Sequence, residues 1–258
     1  MPLYKQSTGT GPDLVMIHGW GLHSGIWDSI MPLLEPQVRI TRVDLPGHGR
    51  SDWSGEAGLD DMVGAVHAVV PDNAIWLGWS LGGLVAMRAA ACRDIGVKAL
   101  ITVASTPSFV RRPNWQSALL PSLLQTFAAE LDQDYHRTLD RFLALQVRGS
   151  EQATTVLKSL RSIMQLHGEP HPAGLRAGLD ILADTDLRES LPTIGCPVQL
   201  LAGERDTLVP LAAVQATRDM LPDARLTVLP GAGHAPFIPV PALFAETIKA
   251  FVTELDTE

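Results

Sequence analysis

The sequence predicts an α/β fold, in which a mostly parallel central sheet is flanked by helices and carries an inserted helical cap. Short apolar runs that end at turn residues alternate with helical patterns through the first hundred residues. From about residue 111 to 186 the pattern is almost wholly helical, and two more strand patterns and a closing helix follow. We therefore expect a core formed by residues 1–110 and 187–258, and a cap formed by residues 111–186.

The predicted core strands are short and mostly apolar, as expected for parallel strands that are covered on both faces. They span residues 14–17, 38–43, 74–77, 99–103, 198–201 and 226–229. The clearest helical patterns span residues 59–70, 84–92, 119–131, 135–147 and 241–255. Because strand and helix patterns alternate outside the cap, consecutive strands are expected to run parallel.

Composition excludes several classes of protein. The chain has 258 residues and a formal net charge of −8, which disfavours nucleic-acid binding by bulk charge. Neither a membrane-length apolar run nor a signal-peptide pattern is present, so we expect a cytoplasmic protein that does not bind membranes. Cys92 and Cys196 lie far apart and outside any metal-binding spacing. We expect two reduced thiols and no metal site.

The segment Gly78-Trp79-Ser80-Leu81-Gly82 is a G-x-S-x-G motif between a predicted buried strand and a predicted helix. A sharp turn in this context lifts the serine hydroxyl clear of the sheet. The start of the helix then directs free N–H groups towards the reacting centre. The alternative is a glycine-rich turn with an incidental serine. The strand-turn-helix context favours Ser80 as a nucleophile.

A serine nucleophile needs a base, and the base needs an acid that orients it. His234 lies in a glycine-rich loop between the last predicted strand and the closing helix, which is a suitable place for the base. Asp206 follows the strand at 198–201 and precedes His234, which gives the chain order serine, aspartate, histidine. Glu204 is the alternative acid.

The segment His18-Gly19-Trp20-Gly21 follows the first predicted core strand. We expect the backbone N–H groups of Trp20 and Leu81 to form an oxyanion hole, which stabilises negative charge on a substrate carbonyl oxygen. The Trp20 and Trp79 rings are expected either to line the acyl pocket or to pack in the core. This chemistry requires no metal and no organic cofactor.

Together with residues 44–51, these motifs resemble the α/β-hydrolase superfamily over nearly the whole chain. Asp44 and His48 are expected to be structural residues of a turn. A serine nucleophile, in place of aspartate, disfavours epoxide hydrolases and haloalkane dehalogenases. A general carboxylesterase, a carbon–carbon bond hydrolase, a haloperoxidase-like enzyme and a non-catalytic receptor remain as alternatives.

Residues 18–22, 74–86, 141–146 and 234–238 more narrowly resemble the biotin-synthesis carboxylesterases. These enzymes hydrolyse the methyl ester of a pimeloyl chain carried on acyl-carrier protein. The resemblance implies a monomer, no cofactor, acyl-carrier protein as partner, and Phe142 and Leu143 packed on the pimeloyl methylenes. The full set of substrate contacts that it implies is Trp20, Ser80, Leu81, Phe142, Leu143, Ala144, Leu145, Gln146 and His234.

The segment 137–161 has five basic and two acidic residues in an otherwise acidic chain. If one helix continues through it, Arg137, Arg141 and Arg148 share a face. With the resemblance, this charge favours docking of the acidic carrier through Arg137, Arg141, Lys158 and Arg161. The alternative is an ordinary solvated helix face. Thr154 and Lys158 stand where the family can have arginine, and lysine keeps the charge but loses the bidentate geometry.

Overall fold

The computed structural model describes residues 3–55 and 58–255. In this part of the chain, seven strands form one sheet in the order β1-β3-β2-β4-β5-β6-β7. The strands are β1 Lys5–Thr8, β2 Asp13–Ile17, β3 Arg39–Val43, β4 Ile75–Trp79, β5 Ala99–Val103, β6 Val198–Gly203 and β7 Ala224–Leu229. Among these described strands only the β1–β3 pair is antiparallel, so the mostly parallel sheet is confirmed.

Helices cover both faces of the sheet. They are α1 Met31–Leu34, α2 Leu59–His67, α3 Leu81–Ala91, α4 Pro121–Leu131, α5 Tyr135–Gln146, α6 Ala153–Met164, α7 Pro172–Asp184, α8 Leu211–Met220 and α9 Pro241–Leu255. Side chains of β2 alternate between two apolar clusters: Val15 belongs to the cluster that includes residues of α2, α3 and α8, whereas Met16 belongs to the one that includes residues of α1 and α9. This double coverage explains why the central strands are apolar on both faces.

Two departures from the predicted elements have simple physical causes. The edge strand β1 was not predicted because its four residues are polar and none is fully buried. Helix α5 ends at Gln146, and Arg148 lies in the turn before α6. A single helical face therefore does not join Arg148 to Arg137 and Arg141, and that part of the predicted basic stripe is wrong.

The helices α4, α5, α6 and α7 lie between β5 and β6 in sequence. Helix α4 packs against α5 and α7, α7 also contacts α3, and α6 contacts the short turn at Ser24–Trp27. These contacts place the four helices beside the loop after β2 and the start of α3. Among the residues described, no helix is both long and apolar enough to cross a membrane.

Candidate active site

Ser80 forms the turn between β4 and α3, with the unusual backbone angles φ 54° and ψ −116°. Its N–H donates to the carbonyl oxygen of Val103 at 3.0 Å, and its own carbonyl accepts from the Ser105 hydroxyl at 2.8 Å. The motif glycines are sterically required, because a Cβ on Gly78 would lie 2.0 Å from the Gly82 oxygen. Ser105, which supports this turn, carries no sequence motif and was not predicted.

Ser80, His234 and Asp206 form one buried chain of hydrogen bonds. The Ser80 Oγ lies 2.9 Å from His234 Nε2, and His234 Nδ1 lies 2.7 Å from Asp206 Oδ2. The other carboxylate oxygen of Asp206 accepts the N–H groups of Leu208 at 2.8 Å and Val209 at 3.0 Å. The carboxylate is thus held in one orientation, which places the Nδ1 proton of the imidazole towards Asp206 and leaves Nε2 to accept the serine proton.

Glu204, the alternative acid, is exposed and does not contact the imidazole. Its Oε2 accepts the N–H of Gly231 at 2.8 Å, so it binds the start of the histidine loop. The structure therefore brings Asp206, and not Glu204, to His234.

The backbone of His234 is held on both sides. Its N–H donates to the carbonyl oxygen of Gln146, the last residue of α5, at 3.1 Å. Its carbonyl accepts the indole N–H of Trp79 at 2.7 Å. Trp79 is fully buried and packs against Phe237, with the ring centroids 5.2 Å apart. Trp79 is therefore a core residue that supports the histidine loop.

The loop after β2 lies directly beside the nucleophile, because a Cβ on Gly19 would be 3.3 Å from the Cβ of Ser80. The N–H of Trp20 forms no hydrogen bond with any described residue. Leu81 is the first residue of α3, where an N–H has no partner within the helix. Both N–H groups next to Ser80 can therefore donate to a substrate oxygen.

His18, as a neutral imidazole, anchors the loop after β2. Its Nδ1 donates to the Gly19 carbonyl at 2.7 Å, and its Nε2 accepts the N–H of Leu45 at 2.9 Å. Burial lowers the pKa of His18 to about 3, and burial likewise lowers the pKa of His48 to about 4. Protonation of His18 would remove the acceptor for Leu45.

Asp44 lies next to this histidine and also has a structural role. Burial alone would raise the pKa of its carboxyl, but hydrogen bonds, chiefly from Arg50, hold the pKa well below its usual range. Its oxygens accept the Ser24 N–H at 2.7 Å and the Arg50 Nε at 2.9 Å. Asp44 and His48 therefore lie in a structural turn, and their hydrogen bonds do not involve Ser80, His234 or Asp206.

The block Phe142–Gln146 has an inner and an outer face. Phe142, Leu143 and Gln146 are buried, Leu145 is half-buried and Ala144 is exposed. The Phe142 ring packs edge-on against Trp20, with centroids 4.7 Å apart. The structure thus brings Phe142 to the loop after β2 and Gln146 to the histidine loop, whereas Ala144 lies on the opposite side of α5.

Arg137, Arg141, Lys158 and Arg161 are all exposed on α5 and α6, and we call them the cationic face. Arg141 forms an ion pair with Glu130, and Arg161 forms a bidentate pair with Asp140 at 2.6 and 2.8 Å. Within the described part of the chain, Arg137 and Lys158 form no side-chain ion pair. The cationic face therefore presents two uncompensated charges.

The described residues contain no cluster of three or more His, Cys, Asp or Glu side chains that could hold a metal ion. Cys92 and Cys196 are half-buried free thiols. Neither lies in the Ser80 hydrogen-bonded chain.

The fold and the serine-histidine-aspartate arrangement define a hydrolase class, and the alpha/beta hydrolase family model matches residues 14–247. The chain belongs to this family. It is 43% identical over 248 residues to the pimeloyl-[acyl-carrier protein] methyl ester esterase of Nitrosomonas europaea, covering 96% of this chain and 98% of that protein. It is 42% identical over 250 residues to the protein of the same name from Pectobacterium atrosepticum, covering 96% and 98%.

Solved structures show the same fold. An esterase from Exiguobacterium antarcticum superposes with a TM-score of 0.88 at 23% identity, covering 97% of this chain and 95% of that one. At this identity the likeness concerns the fold alone.

Proposed function

We propose that this chain hydrolyses the methyl ester of pimeloyl-[acyl-carrier protein], which releases methanol and pimeloyl-[acyl-carrier protein] for biotin synthesis. The observation that carries the chemistry is the buried chain of hydrogen bonds from Asp206 through His234 to Ser80. The choice of substrate is supported by the nearly full-length similarity to curated esterases of that name.

The reaction follows from the positions of the groups. His234 Nε2 takes the Ser80 proton while Oγ attacks the ester carbonyl carbon. The N–H groups of Trp20 and Leu81 hold the resulting oxyanion, and such a donor typically contributes about 10²–10³ in rate. The tetrahedral intermediate expels the methoxy group, which takes the proton from His234 and leaves as methanol.

The second half of the reaction uses the same groups. His234 removes a proton from water as the water oxygen attacks the acyl-enzyme carbonyl. Collapse of that intermediate breaks the bond to Ser80 Oγ, returns the proton to Ser80 and frees the pimeloyl carboxylate. Asp206 stabilises the imidazolium form of His234 in both halves.

In this scheme residues 111–186 form a cap over the reacting serine, and residues 1–110 and 187–258 form the core. The apolar rings of Phe142 and Trp20 are in contact beside the oxyanion loop, and this supports a pocket for the acyl methylenes there. In this scheme Phe142 and Leu143 pack on the pimeloyl chain, and Leu145 and Gln146 complete its enclosure. Contact with Ala144 would require the carrier-bound part of the substrate to reach the outer face of α5.

We assign docking of the acidic carrier to the cationic face. Arg137 and Lys158 offer their charges directly. Arg141 and Arg161 form exposed ion pairs, which are typically worth about 0–1 kcal/mol and are therefore easily exchanged for carboxylates of a partner. Such complementarity mainly increases the association rate.

The decisive experiment compares Ser80→Ala with the unmodified chain on carrier-bound pimeloyl methyl ester and on a short p-nitrophenyl ester. We expect the variant to lose both activities, by about 10⁴-fold or more, because the attacking oxygen is absent. It should also fail to restore growth of a biotin auxotroph that lacks its esterase. Full activity of the variant would contradict the nucleophile, whereas a wild type active only on the short ester would contradict the carrier substrate.

A further inference from the structure

Gly178 lies in the interior of the cap helix α7 and is buried. Glycine inside a helix costs about 1 kcal/mol relative to alanine, so its presence there calls for a reason in packing. A Cβ at this position would lie 2.5 Å from Trp20 Cδ1 and 3.2 Å from Leu81 Cδ2. The helix backbone thus passes directly against the two residues whose N–H groups form the proposed oxyanion hole.

Helix α7 also binds the Trp20 side chain by a hydrogen bond. The indole Nε1–H donates to the carbonyl oxygen of Leu175 at 2.7 Å. Phe142 packs against the same ring, with a centroid distance of 4.7 Å, and Trp20 is only 1% exposed. The indole is therefore held by α5 and α7. Because the ring is rigid and buried, it has no free space into which it could move away from a side chain at position 178.

We propose that Gly178 is a positioning residue for the oxyanion hole: the absence of a side chain lets α7 hold the Trp20 loop in its working place. This rests on the proposed oxyanion role of Trp20. A methyl group at position 178 forces either the indole to turn or α7 to withdraw. Either movement breaks the 2.7 Å bond to Leu175 and displaces the loop that carries the Trp20 N–H.

The test is Gly178→Ala, assayed on p-nitrophenyl butyrate. The matched control is Gly64→Ala in α2, where a Cβ would meet no atom within 4 Å. With rates expressed per serine titrated to completion by a fluorophosphonate, we expect kcat of Gly178→Ala to fall at least about tenfold. The pH midpoint of kcat/KM should stay unchanged, because the His234–Asp206 contact is untouched. Gly64→Ala should remain within about twofold of wild type.

A double-mutant cycle separates positioning from general damage. In a Trp20→Ala background, Gly178→Ala should change kcat by less than about twofold, because Trp20 Cδ1, the atom nearest to the new methyl group, is gone and only Leu81 Cδ2, the end of a flexible side chain, remains at 3.2 Å. An equal loss in both backgrounds, or no loss in the wild-type background, would overturn the proposal.

If Gly178→Ala does not fold, the thermal midpoints decide. Recovery of folding in the Trp20→Ala/Gly178→Ala protein supports the steric conflict, and continued unfolding contradicts it. The short ester needs no carrier protein, so failure of the carrier-bound substrate would leave this test readable. The two proposals can therefore fail separately.

Discussion

Replacing Asp206 by asparagine tests how the structure orients the base. Asp206 Oδ1 accepts two backbone N–H groups, from Leu208 and Val209, and only Oδ2 faces His234. An asparagine at this position must keep its carbonyl oxygen towards the two N–H donors. Its NH₂ group then faces Nδ1 of His234 and donates to it. The imidazole is forced to carry its proton on Nε2, where it cannot accept the proton of Ser80.

The expected loss follows from this wrong tautomer. The same exchange in a serine protease triad lowers kcat about 10⁴-fold, and we expect a loss of that order here because the second carboxylate oxygen is equally constrained. It corresponds to roughly 5 kcal/mol in the activation barrier. Folding should change little, because the asparagine retains both hydrogen bonds from the backbone N–H groups.

The assay is steady-state hydrolysis of p-nitrophenyl butyrate near neutral pH, with thermal unfolding measured on the same samples. Glu204→Gln is the matched control, since it makes the same acid-to-amide change two residues away, on an exposed side chain that does not contact the imidazole. We expect the control to stay within about threefold of wild type. If Asp206→Asn kept a tenth of the activity, or if Glu204→Gln lost as much, the assignment of the acid would be wrong.

Two further outcomes are expected. Arg137→Glu/Arg141→Glu should lower kcat/KM at least about tenfold for the carrier-bound ester at low salt and leave kcat/KM for the short ester unchanged. The control Arg218→Glu/Arg225→Glu, on the core, should change kcat/KM for neither ester. An equal loss on both esters would argue against docking at the cationic face. His18 has a folded-state pKa of about 3, below its value of 6.5 when unfolded, so its contribution to stability is complete above pH 6.5 and is lost as the pH falls towards 3. We therefore expect the free energy of unfolding in urea to depend more steeply on pH in the unmodified chain than in His18→Asn, by about 1 kcal/mol per pH unit between pH 6 and 4. Identical slopes would contradict the buried neutral imidazole.

Much of the core could be predicted because its physical causes are local. The strands β2, β4, β5 and β6 are mostly apolar runs bounded by turn residues, and the G-x-S-x-G motif marks the β4–α3 turn. The edge strand β1 escaped prediction because it has one partner and no buried apolar residues. The end of α5 was predicted to within one residue, and Arg148 lies beyond it, so the helix does not continue far enough for Arg148 to share a face with Arg137 and Arg141.

By itself, the sequence determined the class of fold, the order Ser80, Asp206, His234 and the segments that would carry them, because each depends on a short motif next to a strand. Tertiary structure alone decided which groups meet. It turned Phe142 inwards and Ala144 outwards, joined His234 to the last carbonyl of α5, and pressed Gly178 against Trp20. These contacts join residues far apart in the chain, and they arise from the packing of the cap helices, which no local pattern encodes.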